Sequence, residues 1–327
     1  MKKQFFAALL LAVTVFALPL NAQAADYPVR AIKGIVPYGA GGSTDVVFRA
    51  IAAEAEKYLG QPIAIVNKKG AGGSVGGNFV AKSRPDGYTI LLAPTSVVDI
   101  YPHLASEPAY VLGDLIPVCV VTVDPRVFVV RSEAPWNTVK DLLEAAKKSP
   151  GTIRFGSPGV TSWGAFGYYA LQAVYPDVKF LPVPLRGHSD IVTAMLRGDV
   201  DVASGTFAGY KAQVDARKFK PIGIASDTRS EFLPDVPTCK EVGVDMPQAP
   251  NIRYVWVPKG TPMSVQKKLE GAFKAMSESP VVIKRIKTLN QNLEFHGREE
   301  AMKIAKAESE HFKRLIKKFG LKVKKKK

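Results

Sequence analysis

Cysteine and histidine are scarce in this chain, with two and four among 327 residues. The four histidines are scattered, and neither they nor the cysteines show metal-ligand spacing, so no metal is expected. Cys119 and Cys239 lie far apart in sequence and leave two alternatives open, one long-range disulfide or two buried thiols. Acid is also in short supply. Asp and Glu number 29 against 45 Lys and Arg, a formal net charge of +16. Beyond the first two dozen residues no run approaches the ~20 apolar residues that a membrane-spanning helix needs. Several catalytic signatures are missing as well. No Gly-Lys-Ser/Thr ending marks a P-loop, and Gly156-Ser157-Pro158-Gly159 is not a G-x-S-x-G elbow. His188, Ser189 and Asp190 are adjacent and so do not face one another as a triad.

The N-terminus carries the pattern of a secretory signal. Lys2 and Lys3 precede the apolar run Phe5 to Leu20, and Ala22-Gln23-Ala24 is an A-x-A cleavage site. Residues 1–24 are therefore read as a signal peptide, with cleavage after Ala24 and a mature chain in the periplasm. Export turns the basic surface away from nucleic acid and toward anionic small molecules or a membrane surface. The lysine tail, Lys322 and Lys324 to Lys327, reads as a solvated end.

Short apolar runs alternate with helical patterns, the α/β signature with parallel strands. Strands are expected at Ile32–Val36, Ile63–Val66, Thr89–Ala93, Val127–Val130, Ile153–Phe155, Val200–Ala203, Ile222–Ala225 and Val255–Val257. Helices are expected to start at Thr44, Val75, Val139, Ser162, Ser189, Pro262, Pro280 and Arg298. The first carries one stripe, Val47, Ile51, Ala55 and Tyr58, and ends at Gly60. Thr138 before Asp141 and Thr238 before Glu241 have capping-box spacing. The last helix opens on Glu299 and Glu300, closes on Lys317 and Lys318, and shows Met302, Ala305, Phe312, Leu315 and Phe319 as a core face. Val118 to Val130, interrupted by Asp124-Pro125, and the proline-rich stretch from Ala225 to Tyr254 read as two crossings between lobes.

Two glycine-rich turns stand where a strand hands over to a helix. One is Gly39-Ala40-Gly41-Gly42-Ser43-Thr44-Asp45, the other Gly70-Ala71-Gly72-Gly73-Ser74-Val75-Gly76. Helix N-termini offer free amides and a positive dipole end, and glycine admits a ligand close to that backbone. Each turn reads as an anion cradle or as a plain strand–helix corner. Neither completes a dinucleotide fingerprint. A third polar turn, Ser157 to Ser162, either caps a helix or reaches a carboxylate. Arg186-Gly187 sits at a strand end and Arg253 just before a strand, where an arginine either clamps a carboxylate bidentately or is solvated surface; position alone singles out neither.

These segments resemble the Bug family, the TctC-like periplasmic substrate-binding proteins of tripartite tricarboxylate transporters. The resemblance runs from Tyr27-Pro28-Val29-Arg30 through Pro37-Tyr38-Gly39-Ala40-Gly41-Gly42-Ser43-Thr44-Asp45 and Arg49. It continues at Leu59-Gly60-Gln61-Pro62, Gly70-Ala71-Gly72-Gly73, Pro85-Asp86-Gly87-Tyr88-Thr89, Leu233-Pro234-Asp235-Val236-Pro237-Thr238 and Pro258-Lys259-Gly260-Thr261-Pro262. It implies a type II periplasmic-binding-protein fold, two α/β lobes joined by a hinge with the ligand cleft between them. Lobe one would comprise residues 25–125 and 246–327, and lobe two residues 126–245. Tyr38, Gly41, Gly42, Ser43, Thr44, Asp45, Thr95 and Ser96 would face the ligand from lobe one. Ser157, Thr161, Ser162, Arg186 and Gly187 would face it from lobe two.

The chain departs from the family pattern at Pro94, at Trp163-Gly164, and at Ser204-Gly205, where many members have Phe-Asp. Loss of that acid argues against an amino-acid ligand. Arg253 falls near an arginine of citrate-type members. The reading that results is a monomeric solute-binding protein without cofactor or catalysis. It captures a di-, tri- or aromatic carboxylate for integral-membrane transporter subunits or, as in some relatives, a sensor kinase ectodomain. The alternative is an exported α/β enzyme that binds a phosphorylated cofactor at the glycine turns.

Overall fold

The computed structural model describes residues 27–321 except Thr161 and Phe319. The signal segment 1–24, Thr161, Phe319 and the lysine tail lie outside the described residues. Two sheets organise the chain. The first contains β1 (Ile32–Val36), β2 (Ile63–Asn67), β3 (Thr89–Pro94), β4 (Leu115–Asp124), β10 (Asn251–Pro258) and β11 (Leu293–Gly297), in the order β11-β4-β10-β3-β1-β2. The second contains β5 (Arg126–Arg131), β6 (Arg154–Ser157), β7 (Leu181–Pro184), β8 (Val202–Gly205) and β9 (Phe219–Ala225), in the order β7-β6-β8-β5-β9.

Both sheets are mixed rather than purely parallel, a correction to the sequence reading. β1, β2 and β3 run parallel, as do β6, β7 and β8. The strand after each crossing enters the opposite sheet antiparallel: β5 against β8 and β9, and β10 against β3 and β4. Periodicity does not reveal strand direction, because the central strands of both kinds, parallel β3 and β8 and antiparallel β5 and β10, are buried on both faces. Pro125, which has no N–H for a ladder bond, lies between the last residue of β4 and the first of β5.

Alternating residues on each central strand feed different cores. Ile32 and Val36 of β1 pack with Val47, Phe48 and Ile51 of α1 (Ser43–Ala52) and with Leu269 and Phe273 of α9 (Met263–Ser277). Ile35 faces the other way, toward Val80 of α3 (Ser74–Ala81) and Ala301 and Ala305 of α11 (Arg298–Lys318). In the second sheet Phe128 and Val130 join α5 (Val139–Lys148) and α6 (Trp163–Val174). Val127 and Val129 join α7 (His188–Arg197) and α8 (Phe207–Asp215). The last turns of α11 bury Phe312 and Ile316 in the cluster beneath the second sheet, so this helix touches both cores.

Several local expectations need correction. The first predicted helix is two, α1 and α2 (Ala55–Leu59), broken at Ala53 and Glu54; Gly60 closes α2 in the left-handed region at φ 71°. Thr138 and Asp141 form the reciprocal capping box of α5. Thr238 and Glu241 exchange the same two bonds, at 2.7 and 3.1 Å, but no helix follows. Pro237 and the β-bridge from Thr238 to Ile224 hold that segment against β9. Helix α8 and strand β11 had no sequence signal. The face of α8 is weakly patterned, with only Phe207 and Tyr210 buried, and β11 is half-buried along most of its length. Both cysteines are free and buried, Cys119 under the first sheet and Cys239 under the second.

A buried carboxylate, Asp99, and a half-buried one, Glu308, sit between α11 and the segment after β3. Neither oxygen of Asp99 has a hydrogen-bond partner among the described residues, and Oε2 of Glu308 has none either. Burial pushes Asp99 well above its usual range and Glu308 from 4.5 to about 7. Folded Glu308 therefore holds its proton where the unfolded chain has released it, and stability from this group is lost as pH rises from 4.5 through 7. His103, His188 and His311, depressed by burial, act with the opposite sign below 6.5. The comparison with Glu308→Gln isolates the carboxyl. Between about pH 5 and 8 the wild type is expected to lose roughly 1–2 kcal/mol relative to the variant, allowing for partial screening. Urea midpoints at the two pH values check this, and parallel profiles would refute it.

Candidate ligand-binding site

In open α/β sheets ligands bind outside the carboxyl ends of the strands, where the strand order reverses. The first sheet reverses between β1 and β3, the second between β6 and β8. Three loops meet at the first reversal. Tyr38, after β1, shares a 3.0 Å hydrogen bond with Ser96, after β3, and donates at 3.3 Å to the carbonyl of Gly72, after β2. This hydroxyl thus joins both glycine turns and the post-β3 segment.

The first glycine turn is held open from behind. Gly41 takes φ 78°, a left-handed conformation that favours glycine. Its amide donates to Asp45 Oδ2 at 2.9 Å, Arg49 Nε donates to the same oxygen at 2.9 Å, and Asn67 Nδ2 donates to Oδ1 at 2.8 Å. These bonds hold the Asp45 carboxyl below its usual range against the opposing effect of burial. Asp45 is therefore turned inward as a brace. Gly42 caps α1 with ordinary extended dihedrals and no side-chain bond, so the first-turn amides of α1 have no side-chain partner among the described residues. Ser43 is half-exposed and Thr44 is buried.

The second glycine turn is a packing corner. Gly73 lies at φ 101°, and a Cβ there would stand 2.8 Å from Val97 and 3.2 Å from the Tyr38 hydroxyl. A Cβ on Gly76 would meet Pro37 at 2.8 Å. The glycines let α3 approach the β1 loop rather than a ligand. Thr95 is likewise internal: its hydroxyl accepts from the Ile252 amide at 3.3 Å and faces the Ile252 carbonyl at 3.2 Å.

Arg253 is fully buried at the carboxyl edge of β3, opposite Pro94. Its Nη1 donates to Asp124 and, at 3.0 Å, to Thr122; its Nη2 reaches Ser43 Oγ at 3.3 Å. The sequence reading gave this arginine no internal acid, but Asp124 on the neighbouring strand supplies one. Arg253 touches the candidate site through Ser43.

In the second lobe Ser162 caps α6. Its Oγ accepts from the Ala165 amide at 3.1 Å and donates to the Gly159 carbonyl at 2.7 Å. Ser157 is buried and donates to the Gly159 carbonyl at 3.4 Å. The β7–α7 loop runs alongside, with the Leu185 amide bonded to the Ser157 carbonyl at 2.8 Å. Arg186 there is exposed, and Gly187 caps α7 without a side-chain bond. His188 leaves Ser189 and Asp190 in solvent and contacts the Gly209 carbonyl at 2.6 Å.

Sequence reasoning missed Arg126, the first residue of β5. It is 1% exposed, stacks at 3.9 Å over the Trp163 ring, and donates through Nη1 to Ser204 Oγ at 2.9 Å. Its Nε and Nη2 have no partner among the described residues, and burial pulls the guanidinium down to about 9. The available signal was an arginine opening an apolar strand directly after a crossing proline.

A profile of the tripartite tricarboxylate transporter family receptor matches residues 47–321. The chain belongs to that receptor family. A UPF0065 protein of Bordetella pertussis is 32% identical over 265 residues, 80% of this receptor and 81% of the relative. The solved periplasmic binding protein BugD superposes with a TM-score of 0.84 at 29% identity, covering 90% of this chain and 99% of BugD. MatC of Rhodopseudomonas palustris, solved with bound malate, gives a TM-score of 0.80 at 26% identity, with 89% of this chain and all of MatC covered. The receptor therefore has the two-lobed α/β fold of periplasmic binding proteins. Among its described residues no helix is long and apolar enough to cross a membrane.

Proposed function

We propose that this chain is a periplasmic, non-enzymatic receptor that captures a small carboxylate and delivers it to the membrane subunits of a tripartite tricarboxylate-type transporter. It acts as a monomer after cleavage behind Ala24. Residues 25–125 and 246–327 form one lobe, and residues 126–245 the other. The observation that carries the reading is the N-terminus of α1. Its amides lack a side-chain cap among the described residues and follow β1 at the strand-order reversal, where Ser43 is half-exposed and the Tyr38 and Ser96 hydroxyls join the loops after β1 and β3, which suits a carboxylate. Malate in MatC supports the ligand class. Ligand contacts come from Tyr38, Gly41, Gly42, Ser43, Thr44 and Ser96 in one lobe, and from Ser157, Ser162 and the Arg186-Gly187 loop in the other. Asp45 and Thr95 brace these loops, and Arg253 orients Ser43.

The direct test is a panel of mono-, di- and tricarboxylates screened by thermal shift and calorimetry. A ligand at roughly 100 times its Kd adds about 2.7 kcal/mol of stability. Gly42→Val is expected to weaken binding roughly 10- to 150-fold by blocking the amides, with the fold intact because the dihedrals of Gly42 admit a side chain and the nearest neighbour of a Cβ there, the Gly39 carbonyl at 3.3 Å, belongs to an exposed turn that can shift. Absence of any shift across the panel would refute the reading. Unchanged affinity in Gly42→Val would reduce the turn to a corner.

A further inference from the structure

The two sheets share one plan. Each has three parallel strands with a reversal, β2-β1-β3 and β7-β6-β8, followed by the antiparallel strand that enters from a crossing. Each entering strand brings an arginine to the carboxyl edge, Arg253 on β10 and Arg126 on β5. Arg253 meets Asp124 on β4, the next strand along. Arg126 pairs in register with Ala225, the last residue of β9; the acid two residues further on, Asp227, is exposed and pairs with Lys240 at 3.6 Å instead. Arg126 forms no ion pair among the described residues.

An isolated buried cation is costly, and natural chains rarely keep one without a partner. Here the surroundings are shaped to keep it. Gly167 lies inside α6, where glycine costs roughly 1 kcal/mol against alanine. A Cβ there would stand 2.7 Å from Arg126 Nη1 and 2.5 Å from Ser204 Oγ. The Ser204 hydroxyl faces the Gly164 carbonyl at 3.4 Å, leaving its lone pairs to Arg126. Trp163, the first residue of α6 after the Ser162 cap, covers the guanidinium face, and its own Nε1 is fixed by the Ala249 carbonyl at 2.8 Å. Nε and Nη2 remain as donors without a partner among the described residues, at the carboxyl edge of the second sheet where β5 begins beside Gly205, the last residue of β8.

We infer that Arg126 is the anion-binding residue of the second lobe, and that the solute therefore carries two anionic groups, one for the α1 N-terminus and one for Arg126. This rests on the carboxylate-receptor reading above. The chemical class is a dicarboxylate, or a tricarboxylate with one group left to solvent, without an ammonium. Gly205 and its neighbours offer no acid to receive one.

The test uses the mature chain with succinate, L-malate, glutarate, citrate and, as the single-charge control, butyrate. Calorimetry is run on wild type, Arg126→Met and Arg126→Lys, with ligand-free melting curves for each. Wild type is expected to bind at least one of the polyanions and butyrate far more weakly. Arg126→Met should weaken the polyanion roughly 10- to 150-fold, the equivalent of about 1.5–3 kcal/mol for a charged hydrogen bond. Arg126→Lys should recover part of this. The ligand-free Arg126→Met protein should melt no lower than wild type, because an uncompensated charge has been removed. A lower melting point with unchanged polyanion affinity would make Arg126 structural and overturn the inference alone. Equal binding of butyrate and succinate by wild type would overturn it as well. No binding of any compound by wild type would overturn the receptor reading together with it.

Discussion

Asp124→Ala is expected to destabilise the protein by about 3–5 kcal/mol, the range for leaving one half of a buried ion pair without its partner. Arg253 is fully buried, and Asp124 is its only carboxylate among the described residues. Asp124 Oδ1 also accepts from the Asn292 amide at 2.9 Å, so the same side chain ties β4 to the segment before β11. The pair links adjacent strands immediately before the crossing at Pro125. Arg253→Met should cost a similar amount, and Asp124→Ala with Arg253→Met should cost less than the two singles added, because neither charge is then stranded. Guanidinium midpoints of the four proteins test this. Single variants within about 1 kcal/mol of wild type would show that water reaches the pair.

This changes what Arg253→Ala measures. A residue contributing only a bidentate ligand contact would lose affinity with its stability intact. With Asp124 beside it and Ser43 3.3 Å away, Arg253→Ala should lower stability and displace Ser43 together. Sequence reasoning found Arg253 through its resemblance to an arginine of citrate-type members, since a place before a strand does not by itself separate a clamp from solvated surface. It did not find Asp124 as the partner, because their pairing depends on β10 lying antiparallel beside β4, 129 residues away.

The same distinction runs through the rest of the chain. The β1, β2 and β3 strands, the α5 capping box and the dipole-matched ends of α11 were legible, because each is encoded within a few residues. Strand direction was not, since buried strands of either direction carry the same apolar pattern. Gly41 and Gly73 look alike in sequence and take similar left-handed conformations. Only tertiary contact separates them: the side of Gly41 is open, whereas Gly73 faces Val97 and Tyr38. Asp45 was legible as a site-forming residue but not as one turned inward, because Asn67 comes from the next strand. Arg126 was hidden by its setting. A cation at the start of an apolar run reads as a strand edge in solvent until Trp163 of α6 is seen to cover it.

Phe312→Ala carries the other large expected effect. The ring is fully buried and packs edge-on against Phe166, with centroids 4.8 Å apart and planes at 88°. Removing a buried phenyl leaves a cavity and typically costs about 3–5 kcal/mol. The contact joins α11, whose Ala301 and Ala305 serve the first core, to α6 of the second. Because α6 begins at the Ser162 cap and carries Trp163 and Gly167 around Arg126, loosening it should also disturb the second half of the candidate site. Hydrogen exchange is expected to rise in α6 and in the last turns of α11, and to stay unchanged in β1 and β3. Affinity for whichever polyanion the wild type binds should fall without any contact residue having been altered. Uniform exchange across both sheets would mean that the two cores unfold as one unit. A cost below about 1 kcal/mol would mean that the end of α11 lies on the second lobe without supporting it.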